Sequence, residues 1–354
     1  MDRTSDGLSR LLGVIALLAA TASLHCTGPN TPTAPPPPPV EPAAVEVKCP
    51  DPVTIKSVHG EPTLGVYGQA TGTSGAPPVT VTCTPASGGM FPVGTSKIEC
   101  VAMDARQRTA SCTFTLTVTP PPRINATRFV AFGDSMTAGE IPALGLNPST
   151  GGFLVDPNAA YPRRLEVALI GRYTDQTPTV RNQGQSGEQT TQGQSRLSRV
   201  LAGAGFEVLL LMDGANDLLE GDARKVGPAV GAIQFMVRDA KSRGLRVYLG
   251  SLPPQDPLAC CPRRGNGAGL VNQYNSQLRS VASAENVTFV DVNAAFGGDT
   301  TTLIDRDGLH PTAAGYQRIA DTFFKSIMET LELPPVMTFD PRAMTTGVLR
   351  IRRR

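Results

Sequence analysis

The sequence predicts an α/β chain: a parallel sheet flanked by helices over residues 127–333, preceded by a small antiparallel β-sandwich. Three observations carry this. Continuous apolar runs alternate with stretches of helical periodicity from Phe129 to Leu331, the mark of buried parallel strands joined by crossover helices. Between Cys49 and Val118 the pattern instead has period two, broken by Gly and Pro turns, as in a sandwich of short strands. A Pro/Thr/Ala tract separates these regions from the N-terminus. At 354 residues, two folded units plus linkers is the natural expectation. Hydrophobic residues at 40% and charged residues at 18% suffice to fill cores. A net charge of +2 gives no electrostatic case for nucleic acid. The absence of tryptophan removes indole stacking platforms for sugars.

Residues 1–26 read as an export signal. Arg3 and Arg10 precede the apolar run Leu11–Leu24, which is shorter than the roughly 20 residues needed to span a bilayer and fits a signal core. Two processing readings stand side by side. Ala20-Thr21-Ala22 offers a small-x-small cleavage site, and Ser23-Leu24-His25-Cys26 resembles a bacterial lipobox in which Cys26 would carry lipid. His25 departs from the small residue expected there. Seven cysteines are present, so lipid at Cys26 leaves six, an even number suited to an oxidising compartment. The expected location is therefore secreted or cell envelope, with membrane anchoring through Cys26 in the second reading.

Residues 27–48 form a spacer. Its unbroken Pro35–Pro39 run adopts polyproline II, buries no core and is semi-rigid. Residues 49–119 carry the strand-like stretches Val79–Cys83, Ser96–Val101 and Cys112–Val118. Four cysteines here allow three pairings. The segment T-C-T-P-A-S-G-G-M-F-P-V-G-T-S-K-I-E-C-V-A-M-D, Thr82–Asp104, resembles a HYR (hyalin repeat) module of immunoglobulin-like fold. That resemblance implies the disulfides Cys83–Cys100 and Cys49–Cys112. Such a module serves as a spacer or contacts a cell surface or polysaccharide, and the fold alone carries no site.

After the linker 120–126, residues 127–333 alternate strands and helices. Strands are expected at Phe129–Phe132, Val208–Met212, Val247–Gly250 and Val287–Val292, and helices around Val226–Ser242, Leu270–Ala284 and Ala313–Leu331. In such sheets ligands bind beyond the carboxyl ends of the strands. Gly133-Asp134-Ser135-Met136-Thr137 follows the first strand and places the Ser135 hydroxyl at a strand-to-helix turn. Serine is a weak nucleophile and needs a base. Of three histidines, His25 lies in the export segment and His59 in the β-module, leaving His310. Asp307, three residues earlier, is placed to accept its ring N–H and fix the tautomer. Candidate oxyanion donors are the Ser135 and Gly187 N–H groups and the Asn216 amide, in loops after short strands.

G-D-S-M-T, the S-G-E segment around Gly187, G-A-N-D and D-G-L-H-P together resemble blocks I, II, III and V of the SGNH (GDSL-type) hydrolases. Met136 and Glu188 stand where leucine and aspartate are commoner. The resemblance implies a three-layer α/β/α domain that uses no metal or organic cofactor. It also implies a serine esterase with Ser135 as nucleophile, Asp307 and His310 completing the triad, and Ser135, Gly187 and Asn216 in the oxyanion hole. Expected substrates are small esters or acylated glycans and lipids. The alternatives are a surface binding protein with a non-catalytic hydrolase-like domain, and an acyltransferase. Three segments stay open at this level. Gly139–Val180 reads as a long loop, either shaping a pocket or lying on the surface. Cys260-Cys261 forms a vicinal disulfide, pairs elsewhere or stays reduced. The tail 334–354, tipped by four arginines, either touches anionic polymers or is solvated.

Overall fold

The computed structural model describes residues 40–142, 153–258 and 265–334. The export signal, Cys26, most of the proline spacer, Leu144–Gly152, Cys260-Cys261 and nearly all of the tail lie outside the described residues.

The first part is built from eight strands: β1 Glu46–Lys48, β2 Val53–Lys56, β3 Thr63–Gly65, β4 Thr71–Thr73, β5 Thr80–Thr84, β6 Gly89–Phe91, β7 Gly94–Met103 and β8 Thr109–Thr119. The main sheet has the order β2-β8-β7-β5, and β1–β4 and β3–β6 form two-stranded sheets. Every pairing is antiparallel except β2 with β8, so one edge departs from the antiparallel expectation. Alternation decides what is buried. Ile98, Cys100 and Ala102 point inward from β7, and Phe114, Leu116 and Val118 from β8, each set two residues apart as the pleat requires. Tyr67 and Phe91 close this core.

Cys83–Cys100 joins register partners on β5 and β7, and Cys49–Cys112 ties the start of the module to β8. The two bonds close sequence separations of 17 and 63 residues. In the chain-entropy account the longer closure stabilises more, about 4 kcal/mol against about 3. Replacing Cys49 and Cys112 together by serine is expected to lower the urea midpoint of this module more than the same change at Cys83 and Cys100. An equal or smaller loss would show that the entropy of the unfolded loop does not set the difference.

The second part continues with β9 Arg128–Gly133, helix α1 Ser135–Ala138, β10 Glu140–Pro142, β11 Phe153–Val155, α2 Tyr161–Arg172, β12 Thr179–Gly184, α3 Thr190–Leu201, β13 Val208–Met212 and α4 Ala215–Leu218. It ends with α5 Val226–Ser242, β14 Arg246–Gly250, α6 Ala268–Glu285, β15 Thr288–Val290, α7 Val292–Phe296 and α8 Ala313–Leu331. The sheet runs β12-β9-β13-β14-β15, every neighbour parallel. β9 and β13 are buried throughout apart from Arg128, as a doubly covered parallel sheet demands. Helices α3, α5 and α6 pack together in one layer, and α2, α7 and α8 in another. The crossover from β9 to β12 runs one way along the sheet and that from β12 to β13 runs back. Right-handed crossovers therefore put α2 and α3 on opposite faces. The direction of winding reverses between β9 and β13, and a crevice opens there beyond their carboxyl ends.

The expected strands and helices of this part appear with bounds that coincide or shift by at most two residues, within the usual scatter of boundary assignment. The long loop expected between Gly139 and Val180 is corrected: it contains β10, β11 and the twelve-residue helix α2. Among the described residues no helix is long and apolar enough to cross a membrane.

Candidate active site

Ser135 stands at the first position of α1, two residues past the last residue of β9 facing the sheet. Gly133 makes that turn compact. A Cβ built there would lie 1.8 Å from the Met212 carbonyl oxygen on β13. The Asp134 side chain caps the short helix by accepting the Met136 N–H at 3.0 Å, the usual task of an aspartate at this position. Its other oxygen accepts the Ala215 N–H at 3.2 Å. One carboxyl thus binds the Ser135 turn to the loop that carries Asn216.

His310 reaches the same point from the loop before α8. Its Nε2 lies 2.9 Å from Ser135 Oγ, and its Nδ1 lies 2.6 Å from Asp307 Oδ2. The other Asp307 oxygen accepts the backbone N–H groups of Leu309 and His310, at 3.1 and 3.0 Å. Ser135, Asp307 and His310 are all buried. Burial opposes ionisation of Asp307, but the His310 hydrogen bond, the imidazole charge and the two N–H donors outweigh it and hold the carboxyl below 3.8. A charged acceptor on Nδ1 fixes that nitrogen as the donor and leaves Nε2 facing the hydroxyl as acceptor. The set can move a proton from Oγ to Nε2 and back.

Gly187, Asn216 and Ser135 line one cleft of about 930 Å³ at the carboxyl ends of the strands. Gly187 has φ +77° with open space where a Cβ would be. Asn216 Nδ2 donates to the Glu188 carbonyl at 2.9 Å, which fixes the amide and leaves its second N–H for the cleft it lines. The loop holding Gly187 is braced from below. The Arg196 guanidinium binds the Glu188 carboxylate at 2.7 Å, the Gln183 carbonyl at 2.9 Å and the Gly133 carbonyl at 3.2 Å, and lies 3.9 Å above the Phe132 ring. The Thr190 N–H and hydroxyl both donate to Asp217 at 3.0 Å, tying α3 to α4. The geometry therefore brings together all five residues singled out from the sequence: Ser135, Gly187, Asn216, Asp307 and His310. Glu140 and Phe153, also at the cleft, belong to none of the catalytic blocks; both fall within Gly139–Val180, the segment for which shaping a pocket is one of two readings. Among the described residues no group of three or more His, Cys, Asp or Glu side chains is arranged to hold a metal ion.

Several carboxyls beneath the site resist ionisation. Burial pushes Asp134 up to about 6, against the Met136 and Ala215 hydrogen bonds and the His310 charge. Burial, followed by the charges of Asp134, Asp217 and Glu188, raises Asp213 well above the ordinary carboxylate range. An acid whose folded pKa exceeds its unfolded value binds more protons when folded, so its contribution to stability falls as pH rises between the two values. For Asp134 that window runs from 3.8 to about 6, and for Asp213 it extends higher. Carboxyls lowered by the fold, such as Asp307 and Glu332, have by then delivered their stabilisation. The Tm is therefore expected to fall by a few degrees from about pH 5 to about pH 7. A Tm that rises over this range in a pH-series calorimetry experiment would contradict the raised values.

The model of the GDSL-like lipase/acylhydrolase family matches residues 131–318, more than half of the chain, and the model of the HYR domain matches residues 41–118. The chain belongs to the GDSL-like lipase/acylhydrolase family. Similar solved structures include the M. smegmatis aryl esterase, at 20% identity and TM-score 0.50, covering 58% of this chain and 100% of that one. The lipase/acylhydrolase from Enterococcus faecalis shares 20% identity at TM-score 0.47, with 58% and 97% covered. Est24, a carbohydrate acetylesterase from Sinorhizobium meliloti, shares 18% at TM-score 0.47, with 57% and 99% covered. No curated protein matches the chain.

Proposed function

We propose that the protein is an exported serine esterase that hydrolyses carboxylic esters through an acyl-enzyme. The observation that carries this reading is the continuous chain from Ser135 Oγ through His310 to Asp307, at 2.9 and 2.6 Å. Nε2 takes the hydroxyl proton as Oγ attacks the ester carbonyl. The Ser135 and Gly187 N–H groups and the Asn216 amide receive the oxyanion, where preorganised donors act with least reorganisation. Collapse of the tetrahedral intermediate expels the alcohol, which takes the proton from Nε2. Water, deprotonated in turn by His310, then releases the acid and restores the serine. Export is supported by the Arg-flanked apolar run at the N-terminus and by the two disulfides of the HYR module, which suit an oxidising compartment. In this reading the proline spacer and the HYR module hold the esterase away from the surface to which Cys26 or the module attaches it.

The test is hydrolysis of p-nitrophenyl acetate by the wild type and by Ser135→Ala. The expected result is turnover by the first and a loss of at least about 10⁴-fold in the second. Equal rates would end the catalytic reading and leave a binding protein.

A further inference from the structure

Glu140 is a buried acidic residue at the mouth of the catalytic pair, and the proton-transfer scheme above gives it no part. It opens β10 immediately after α1. Its backbone is anchored where the Tyr316 hydroxyl donates to its carbonyl at 2.7 Å. The residue is 7% exposed, yet its side chain lines the cleft, with Oε1 3.9 Å from His310 Nε2. Across the β10–β11 pair, Phe153 lines the same wall, its ring centroid 5.4 Å from that of His310.

Among the described residues the charges around the cleft are unbalanced at this point. Glu188 is neutralised by Arg196, and Glu220 on the rim by Lys225 at 2.8 Å. Among the described residues no Lys or Arg pairs with Glu140, and no Lys or Arg lines the cleft. The remaining polar lining is amide and hydroxyl, from Ser186, Gln189, Gln192 and Asn266. A carboxylate in a half-enclosed site costs desolvation energy, which a cation placed beside it recovers.

Position along the reaction follows from the chemistry. Nε2 must hand its proton to the leaving oxygen, so the alcohol half of the ester lies on the Nε2 side of the cleft. The oxyanion donors Gly187 and Asn216 come from other loops, those after β12 and β13. Glu140 and Phe153 therefore border the alcohol, not the oxyanion. A carboxylate beside an aromatic ring is a pairing suited to an ammonium group, attracted by charge and by the ring face together.

We infer that Glu140 selects esters whose alcohol carries a cationic ammonium group close to the ester oxygen. This deepens the esterase reading and rests on it. The probes are acetylcholine and its uncharged isostere 3,3-dimethylbutyl acetate, compared by kcat/KM with the full-length protein. The wild type is expected to favour the cationic ester by about tenfold or more, 1.4 kcal/mol. Glu140→Gln is expected to bring the ratio to near one, and Glu140→Asp to retain part of it. Choline should also inhibit hydrolysis of the neutral ester by the wild type more strongly than 3,3-dimethylbutanol does, a measurement that needs no folded variant. Turnover of both esters at equal kcat/KM, or a preference that survives in Glu140→Gln, would overturn this inference while leaving the esterase reading intact. Turnover of neither would remove both.

Discussion

His310→Ala is expected to reduce kcat/KM on a neutral ester by about 10⁴- to 10⁶-fold. Among the described residues the imidazole is the only base hydrogen-bonded to Ser135 Oγ, and no other histidine lies in this part of the sequence. Asp307→Asn should also cost activity, about 10⁴-fold, because an amide facing Nδ1 leaves the imidazole in the wrong tautomer or without its partner. The sharper result is expected from the double variant Ser135→Ala/His310→Ala. Residues that act as one unit do not lose activity independently, so the double variant should be no slower than the worse single one. Multiplying losses, measured by initial rates at saturating and limiting ester, would mean that the two side chains serve separate steps.

Gly133→Ala is expected to have the second largest effect, this time on folding. The added methyl would sit 1.8 Å from a backbone oxygen of β13. That oxygen belongs to a central strand and cannot rotate away as a side-chain tip can. Relief requires β9 and β13 to part where both are buried and in register, Gly133 opposite Met212. The cost should be about 3 kcal/mol or more, read from the denaturant midpoint. Whatever folds should be nearly inactive, since Ser135 follows two residues later. Gly187→Ala offers the contrast. It meets open space and pays only for a φ of +77°, about 1–2 kcal/mol. Similar losses at the two positions would show that β9 and β13 yield more easily than their burial implies.

Legibility in the sequence followed the physics of each element. β13 is five apolar residues in a row, and α8 repeats its buried positions Tyr316, Ile319, Ala320, Phe323, Ile327 and Leu331 at helical spacing. The first is too short for a helix and reads as a buried strand, and the second has the helical period. Helices α2 and α3 were hidden for opposite reasons. Around α2, Pro162 and the Gly, Pro and Asn-rich stretch before it suggest a loop, although proline in the first turn is compatible with a helix. In α3 the buried face is made of Thr190, Gly193, Leu197 and Leu201, so half of it is not apolar and few apolar residues mark its helical spacing. Its start is a capping box built from Gln189 and Gln192, in which the cap is not one of the usual short polar residues. The candidate triad was legible because one histidine was left after elimination and because the G-D-S and D-G-L-H-P blocks are distinctive. Glu140 was not. Its importance comes from β10 folding back beside His310, a contact between residues 170 positions apart in sequence that no local pattern encodes.

The same separation has a consequence for biosynthesis. Ser135 and His310 are 175 residues apart, and all five sheet strands with the four crossovers between them are complete before the imidazole is added. A growing chain displays the hydroxyl, and even the cleft that surrounds it, long before it owns a base. In the esterase reading the nascent chain is thus silent: it holds a nucleophile without a base, and competence would arrive only when α8 docks and fixes the loop that precedes it.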